Sequence, residues 1–327
     1  MPRSHAAGLN RRHFVQAALA ACAPASAFAQ SGYPAHPVTI VVPFPPGGPT
    51  DESARLYAKA LGERLGQPIV VDNRGGAAGT VGSAYVARQP ADGYTLLWGG
   101  TSTLAVAPGL YKNLSYDAAS FVPIGMALRG PMMIAANPGA NLQTLQDMVQ
   151  QAKTRSLSIA TAGLGSIGHL AVELFCETAK VRLVHVPYRG GGPALTDALG
   201  GQVQLILDNA SELYPYINEG KLRGIAVTSA KPYALTPDVP TVRSLLGGNY
   251  EVYSWFGLVA PKGTPEPALQ KLDAAMAQAV QSVDIQRELA KMGLEPGMPS
   301  AREFGAVIDA DYKKWSGIIT RANVHVE

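Results

Sequence analysis

A stiff loop with two adjacent glycines, Pro43–Asp51, separates an apolar run from a helical pattern and has the composition of an anion-binding turn. The run Val38–Val42 is typical of a buried strand, and Thr50–Leu65 of an amphipathic helix. The first N–H groups of a helix have no intrahelical partner, and the helix dipole adds partial positive charge there. Gly47 and Gly48 let a ligand approach the backbone closely. The loop therefore predicts a site for a negatively charged group, with a rigid turn that binds nothing as the alternative.

Three more glycine-containing turns follow predicted strands and have the same character. They are Gly75–Thr80, Gly99–Thr103 and Gly163–Gly168. Open α/β sheets place ligands at the carboxyl ends of their strands, so turns of this kind converge on one cleft. The first loop lacks the Gly-Lys-Ser/Thr ending of a nucleotide-binding P-loop, which disfavours a triphosphate.

Two patterns near residue 165 are compatible with a cofactor or with catalysis. Gly163–Gly168 fits the G-x-G-x-x-G dinucleotide fingerprint, but the acidic residue expected at the end of the next predicted strand, Leu183–Val186, is missing. A Ser166/His169 hydrolase is a second alternative, although Leu164 stands where a nucleophile elbow needs glycine. We expect no enzyme, no cofactor and no metal. His169 then either bonds a ligand or is an ordinary residue at a helix start.

Aromatic and acidic side chains elsewhere could complete a pocket. Asp208 follows the strand-like run Val203–Leu207, where it either caps the next helix or accepts a ligand amine. Aromatic residues are more often plain core, but pockets use them as walls. The aromatic candidates are Phe44, Trp98, Tyr188 and Trp255.

Short apolar runs alternate with amphipathic helices along the chain, and this alternation predicts parallel sheets built from right-handed crossover units. For 327 residues, two lobes or one large α/β domain are expected. The first set has predicted strands at 38–42, 68–71 and 95–98 and helices at 50–65 and 79–88. The second set has strands at 157–161, 183–186, 203–207 and 224–227 and helices near 142–153, 166–178, 191–199 and 211–219.

The chain is predicted to pass between the two sets twice. Arg129-Gly130-Pro131 separates the β-like runs Phe121–Leu128 and Met132–Ala135 and predicts the first passage. The strand-like run Val252–Ala260 predicts the return, and three helices follow it, the last opening at the capping box Ser300–Glu303. The resulting division assigns residues 33–128 and 252–327 to lobe I and residues 129–251 to lobe II.

The composition is that of a globular protein without a nucleic-acid footprint. Hydrophobic residues make up 47% and charged residues 16% of the chain, and the formal net charge is +3. This excess comes from Arg3, Arg11 and Arg12, because the first 30 residues contain no Asp or Glu. The remainder is neutral and lacks a Lys/Arg run, which excludes a basic surface for nucleic acid or an anionic membrane.

Residues 1–29 have the pattern of an export signal. Arg11-Arg12 is followed by the apolar run Phe14–Ala21 and by the small-x-small site Ala27–Ala29. The arginine pair also fits a twin-arginine signal, so the Sec and twin-arginine routes both stay open. Cys22 lies in a lipoprotein-like box, which makes a lipid anchor the alternative to cleavage. After cleavage Cys176 would be the only thiol, so no internal disulfide is possible.

Five ordered segments resemble those of the periplasmic receptors of tripartite tricarboxylate transporters, often called Bug proteins. They are Pro43–Asp51, Leu65–Arg74, Ala91–Leu96, Val186–Ala194 and Ala260–Pro265. The resemblance implies an α/β, two-lobed, type II-like periplasmic binding protein with mostly parallel sheets, helices on both faces and a cleft between the lobes. It also implies a periplasmic monomer that closes on a dicarboxylate, an amino acid or an aromatic acid and serves membrane transporter subunits. A ligand sensor for a membrane kinase is the other role that this fold could serve.

The resemblance also implies which residues meet the ligand. Members similar to this chain hold carboxylates largely by backbone N–H groups, hydroxyls and bridging waters rather than by an arginine. By position, the implied contacts are Phe44, Gly47, Gly48, Thr50, Thr101, Ser102, Gly163, Gly165, Ser166 and His169, with Gly79, Tyr188 and Asp208 as further matches.

Overall fold

The computed structural model describes residues 32–248 and 250–326, and strands and helices alternate along this range. The predicted signal segment, residues 1–29, lies outside the described residues. The strands are β1 (Val38–Val42), β2 (Ile69–Asn73), β3 (Thr95–Gly100), β4 (Phe121–Ala136), β5 (Ser158–Thr161), β6 (Val184–Pro187), β7 (Leu205–Asn209), β8 (Arg223–Val227), β9 (Tyr253–Pro261) and β10 (Glu295–Pro296). The helices are α1 (Pro49–Leu65), α2 (Thr80–Ala87), α3 (Ala107–Leu110), α4 (Leu145–Ala152), α5 (Ile167–Ala179), α6 (Gly191–Leu199), α7 (Ala210–Asn218), α8 (Val242–Leu246), α9 (Glu266–Val280), α10 (Val283–Lys291) and α11 (Ala301–Arg321). A π-helical segment, Thr101–Val106, leads directly into α3.

The first sheet has the strand order β2-β1-β3-β9-β4. Strand β1 lies between β2 and β3 and is parallel to both, whereas β9 is antiparallel to β3 and to β4. Helices α1 and α2 pack on β1, and its apolar residues Val38, Ile40, Val41 and Val42 are fully buried. A nearly continuous apolar run is what a covered, parallel strand requires.

The second sheet has the order β4-β7-β5-β6, and β8 also pairs with β4. Strand β4 belongs to both sheets, because Phe121–Pro131 pairs with β9 and Met132–Ala136 pairs with β7 and β8. The two β-like runs predicted on either side of Arg129-Gly130-Pro131 form one strand that continues through these residues. Proline lacks an N–H donor, but Pro131 sits where β4 changes partners, so its missing donor interrupts neither ladder.

The α/β class is confirmed, and the strand pairing is more mixed than predicted. The crossover units give parallel pairs at β1–β2, β1–β3, β5–β6 and β5–β7. Strands β4 and β9 pair antiparallel with each other, and they also pair antiparallel with β7 and β3, respectively. Within the described ranges, every helix is too short or too polar for a membrane span.

The C-terminal helix α11 packs on the first sheet. It contacts β4 and the π-helical segment, and Trp255 of β9 meets Phe304 edge to face at 5.3 Å. The indole Nε1 of Trp255 donates to Asp311 Oδ2 at 2.7 Å. Arg321 at the end of α11 also pairs with Glu177 of α5 at 3.0 Å, so the helix touches the second set of elements as well.

The close approach of β9 to its neighbours depends on Gly257. A Cβ at this position would lie 2.6 Å from the Gly125 carbonyl oxygen and 2.6 Å from the Phe304 ring.

We expect Gly257→Ala to lower the free energy of unfolding by about 1–3 kcal/mol, because the added methyl overpacks the interface. The matched control is Gly305→Ala on α11, where a Cβ meets only Pro123 at 3.6 Å. We expect the control to be neutral or to stabilise the helix by up to about 1 kcal/mol. Urea unfolding measures both, and wild-type stability in Gly257→Ala would contradict the packing described here.

Candidate functional site

The loops that follow the strands of both sheets enclose a cavity of about 360 Å³, called the central cavity below. Such a volume lies within the range of small-molecule sites. It is lined by Phe44, Pro45, Pro46, Gly47, Gly48, Thr50, Ala78, Ser102, Met132, Ala162, Ser166, Ile167, Gly168, Arg189, Gly190, Gly191, Gly192, Pro193, Asp208, Asn209, Glu212, Ser254 and Phe256.

The start of α1 leaves backbone donors free at the central cavity. Pro49 occupies the first helical position and no side chain caps the helix. The N–H groups of Thr50 and Asp51 therefore have no partner within the helix. Gly47 also lines the cavity, and its N–H donates to Asp51 Oδ2 at 3.0 Å, so this amide is already used within the loop.

Asp51 is locked in place as the anchor of this loop. Arg55 Nε donates to its Oδ2 at 3.0 Å, and Asn73 Nδ2 donates to its Oδ1 at 3.0 Å. Burial by itself would raise the pKa of Asp51, but the hydrogen bonds from Arg55, Gly47 and Asn73 outweigh it and hold the pKa below its ordinary value. The ionised carboxylate thus sets the geometry of the Gly47-Gly48 turn.

The start of α5 connects the two sides of the central cavity. Ser166 caps the helix by accepting from the His169 N–H at 3.2 Å, and its hydroxyl donates to the Gly163 carbonyl at 2.7 Å. Ser102, which follows β3, accepts from the Ile167 N–H at 3.1 Å. Among the first-turn donors of α5, the N–H of Gly168 is left without a hydrogen bond in the described residues.

His169 lies away from the central cavity and does not form a dyad with Ser166. Its Nδ1 accepts from the Gly165 N–H at 3.2 Å, and its ring stacks on His185 with centroids 4.1 Å apart. Burial lowers the pKa of His169 to about 4, so the ring is neutral near pH 7. Its Nε2 lies 3.7 Å from Glu173. The geometry supports the structural reading of this histidine, and the Ser166 hydroxyl is used as a helix cap.

The start of α6 supplies two further donors that sequence reasoning did not single out. Gly190 adopts a φ of 114°, which favours glycine, and no side chain caps the helix. The N–H groups of Gly191 and Gly192 therefore lie free at the lining of the cavity. The glycine run after β6 was a usable signal, because it has the same strand-glycine-helix order as the Gly47-Gly48 turn.

The charged side chains of the described lining all belong to the second set of elements. Arg189, Asp208 and Glu212 are the charged lining residues among those described. Burial raises the pKa of Asp208 to about 6. Burial, and then the nearby Asp208 charge, raises the pKa of Glu212 well above its ordinary value. Arg189 and Glu212 were missed as lining residues because their neighbours come from other elements.

The structure brings together seven of the thirteen predicted contacts at the central cavity. These seven are Phe44, Gly47, Gly48, Thr50, Ser102, Ser166 and Asp208. The other six, Gly79, Thr101, Gly163, Gly165, His169 and Tyr188, are not among the lining residues. A Cβ on Gly79 would press on Thr103 and on the Phe44 ring, and a Cβ on Gly165 would press on Leu110.

Two of the excluded side chains are used inside the protein. The Tyr188 hydroxyl donates to Asp197 Oδ2 at 2.7 Å. The Thr101 hydroxyl accepts from the backbone N–H of Trp255 at 3.0 Å, and this bond joins the π-helical segment to β9. Trp98 and Trp255 are core residues, at 0% and 2% exposure, so only Phe44 of the aromatic candidates reaches the cavity.

Residues 53–324 match the family model described as tripartite tricarboxylate transporter family receptor. The chain belongs to this family. The curated protein BugT of Bordetella pertussis is 36% identical to it over 291 residues, which cover 88% of this chain and 89% of BugT. The family assignment that the five sequence segments indicated is thereby confirmed.

Solved structures of this receptor family have the same fold. The periplasmic binding protein BugD has a TM-score of 0.83 and 34% identity, over 90% of this chain and 100% of BugD. The Rhodopseudomonas palustris protein Rpa4515, solved with adipate, has a TM-score of 0.85 and 34% identity, over 90% of this chain and 99% of its own. The two-lobed periplasmic binding protein fold is therefore confirmed, and the family is one of solute-binding receptors rather than enzymes.

We expect the Thr101 hydroxyl to stabilise the fold. Thr101→Val keeps the volume but removes the acceptor of the buried Trp255 N–H. An unsatisfied buried donor costs about 1–3 kcal/mol, so the free energy of unfolding should fall by that amount. The exposed residue Thr154 provides the control, since Thr154→Val should change stability by less than about 0.5 kcal/mol. Urea denaturation is the measurement, and equal stability of Thr101→Val and wild type would remove Thr101 from this structural role.

Proposed function

We propose that this chain is an exported receptor that captures a small carboxylated molecule in the central cavity and presents it to membrane transporter subunits. The observation that carries the proposal is the set of free first-turn amides at one cavity. Thr50 follows a strand of the first sheet, whereas Gly168, Gly191 and Gly192 follow strands of the second. Amides at helix starts are donors with partial positive charge, which suits a carboxylate.

The remaining lining supports a small organic acid over a bare ion. Phe44, Pro45, Met132, Ile167 and Phe256 give the cavity apolar walls. Apolar walls with a few directed donors are typical of sites for carbon-containing ligands. A receptor with the same fold holds adipate, a carboxylate with an apolar middle, which agrees with this composition.

Ligand-driven closure follows from the division of donors between the two sides. We place lobe I at residues 33–128 and 252–327 and lobe II at residues 129–251, and β4 changes sheets close to this boundary, after Pro131. A ligand that bonds to Thr50 on one side and Gly168 on the other binds the closed form better than the open one. Its differential affinity then shifts the population towards closure. The Ser102–Ile167 hydrogen bond already joins the two sides.

Gly48→Val tests the site with little risk to the fold. Gly48 has a φ of −99°, and a Cβ there would meet no atom within 4 Å. The valine methyls would fill space beside the α1 amides, so we expect carboxylate affinity to fall about 10- to 100-fold. The measurement is thermal unfolding of wild type and variant with a panel of dicarboxylates, amino acids and aromatic acids. A ligand at 100 times its dissociation constant adds about 2.7 kcal/mol of stability to wild type.

Gly305→Val is the matched control, because it places the same side chain outside the central cavity. It should keep the wild-type ligand response. Retained affinity in Gly48→Val would remove this loop from the site. A wild-type melting temperature that no carboxylate raises would contradict the proposed function itself.

A further inference from the structure

Two acidic side chains crowd into the same part of the central cavity. Asp208 lies at the end of β7, and Glu212 lies in the first turn of α7. A Cβ on Gly191 would lie 2.5 Å from Glu212 Oε2 and 2.8 Å from Asp208 Oδ2. Both carboxyl groups therefore face the start of α6, where Gly190, Gly191 and Gly192 have no side chains.

One oxygen of Asp208 has no hydrogen-bond donor in the part of the chain that the structure describes. The residue is 3% exposed, and its Oδ1 accepts from the Asn209 N–H at 2.8 Å. Its Oδ2 accepts from nothing, although it is buried. A buried polar atom without a partner is costly, so Oδ2 is the place where a donor on a ligand gains most.

The charges around this oxygen favour a cationic donor. Arg189 is the only cation of the described lining, and within the described residues it forms no ion pair with Asp208 or Glu212. Two carboxyl groups in one buried space repel each other when both are ionised. A positively charged donor supplies the missing hydrogen bond and also opposes this repulsion. A neutral hydroxyl would supply only the hydrogen bond.

We propose that Asp208 and Glu212 bind a protonated amine, so that the ligand is an amino-carboxylate. Its carboxylate lies at the free helix-start amides, and its ammonium group lies at the acidic pair. The inference rests on the proposed function, because it names the class of carboxylate that the same cavity selects.

Matched probes separate the amine from the rest of the ligand. The pairs are L-glutamate with glutarate, L-aspartate with succinate, and 2-aminoadipate with adipate. Within a pair the carboxylates and chain length are the same and only the ammonium group differs. Calorimetric titration of the wild-type chain should give at least about 10-fold tighter binding to the amino member of the best-fitting pair, as a charge-assisted hydrogen bond implies.

Two variants assign the preference to these side chains. Glu212→Gln and Asp208→Asn each replace a carboxyl group that an ammonium group can pair with by a neutral amide of the same shape, so each should weaken the amino member about 10-fold and leave the unsubstituted acid unchanged or tighter. The control is Glu63→Gln, because Glu63 is exposed on α1 and outside the lining. The comparison within wild type stands even if a variant fails to fold.

A preference for amino members that both variants abolish supports the inference. Equal affinity for both members of each pair overturns it and leaves the carboxylate receptor standing. A preference that survives in both variants overturns the assignment to Asp208 and Glu212. Absence of binding to every probe would overturn the proposed function together with the inference.

Discussion

The hydrogen-bond requirement of a helix start organises this protein. The first N–H groups of a helix have no partner within the helix, and a capping side chain, water or a ligand can supply one. Helices α1 and α6 have no capping side chain. In α5, Ser102 and Ser166 accept from the N–H groups of Ile167 and His169, and the N–H of Gly168 has no partner among the described residues. The three helix starts line one cavity, so their free N–H groups can bind the same ligand.

The rest of the fold brings these helix starts together from two sheets. The long strands β4 and β9 pair with each other, and β4 continues into the second sheet without a break. Asp51 holds the Gly47-Gly48 turn through hydrogen bonds from Arg55 and Asn73. These features keep the donors in position before a ligand arrives, which lowers the ordering cost of binding.

Periodicity was enough to predict most elements, whereas contacts made across the fold were out of its reach. Strand β1 agrees with its prediction, and α1 begins one residue earlier than predicted, because apolar spacing and helix-start residues agree there. The two runs predicted on either side of Arg129-Gly130-Pro131 form one strand, because a proline interrupts a strand only where its N–H is needed. Each of the four glycine-containing turns contributes at least one residue to the lining of the central cavity. The Ser102–Ile167 hydrogen bond and the stacking of His169 on His185 depend on partners in other elements, which periodicity does not identify.

The central claim is that backbone amides from both sheets hold the carboxylate without help from a cation. A crystal structure of the chain with its bound carboxylate tests this most directly. The account predicts carboxylate oxygens about 2.7–3.2 Å from the nitrogens of Thr50 and Gly168, and of Gly191 or Gly192. A carboxylate paired instead with the Arg189 guanidinium, with those nitrogens left unbonded, would contradict it.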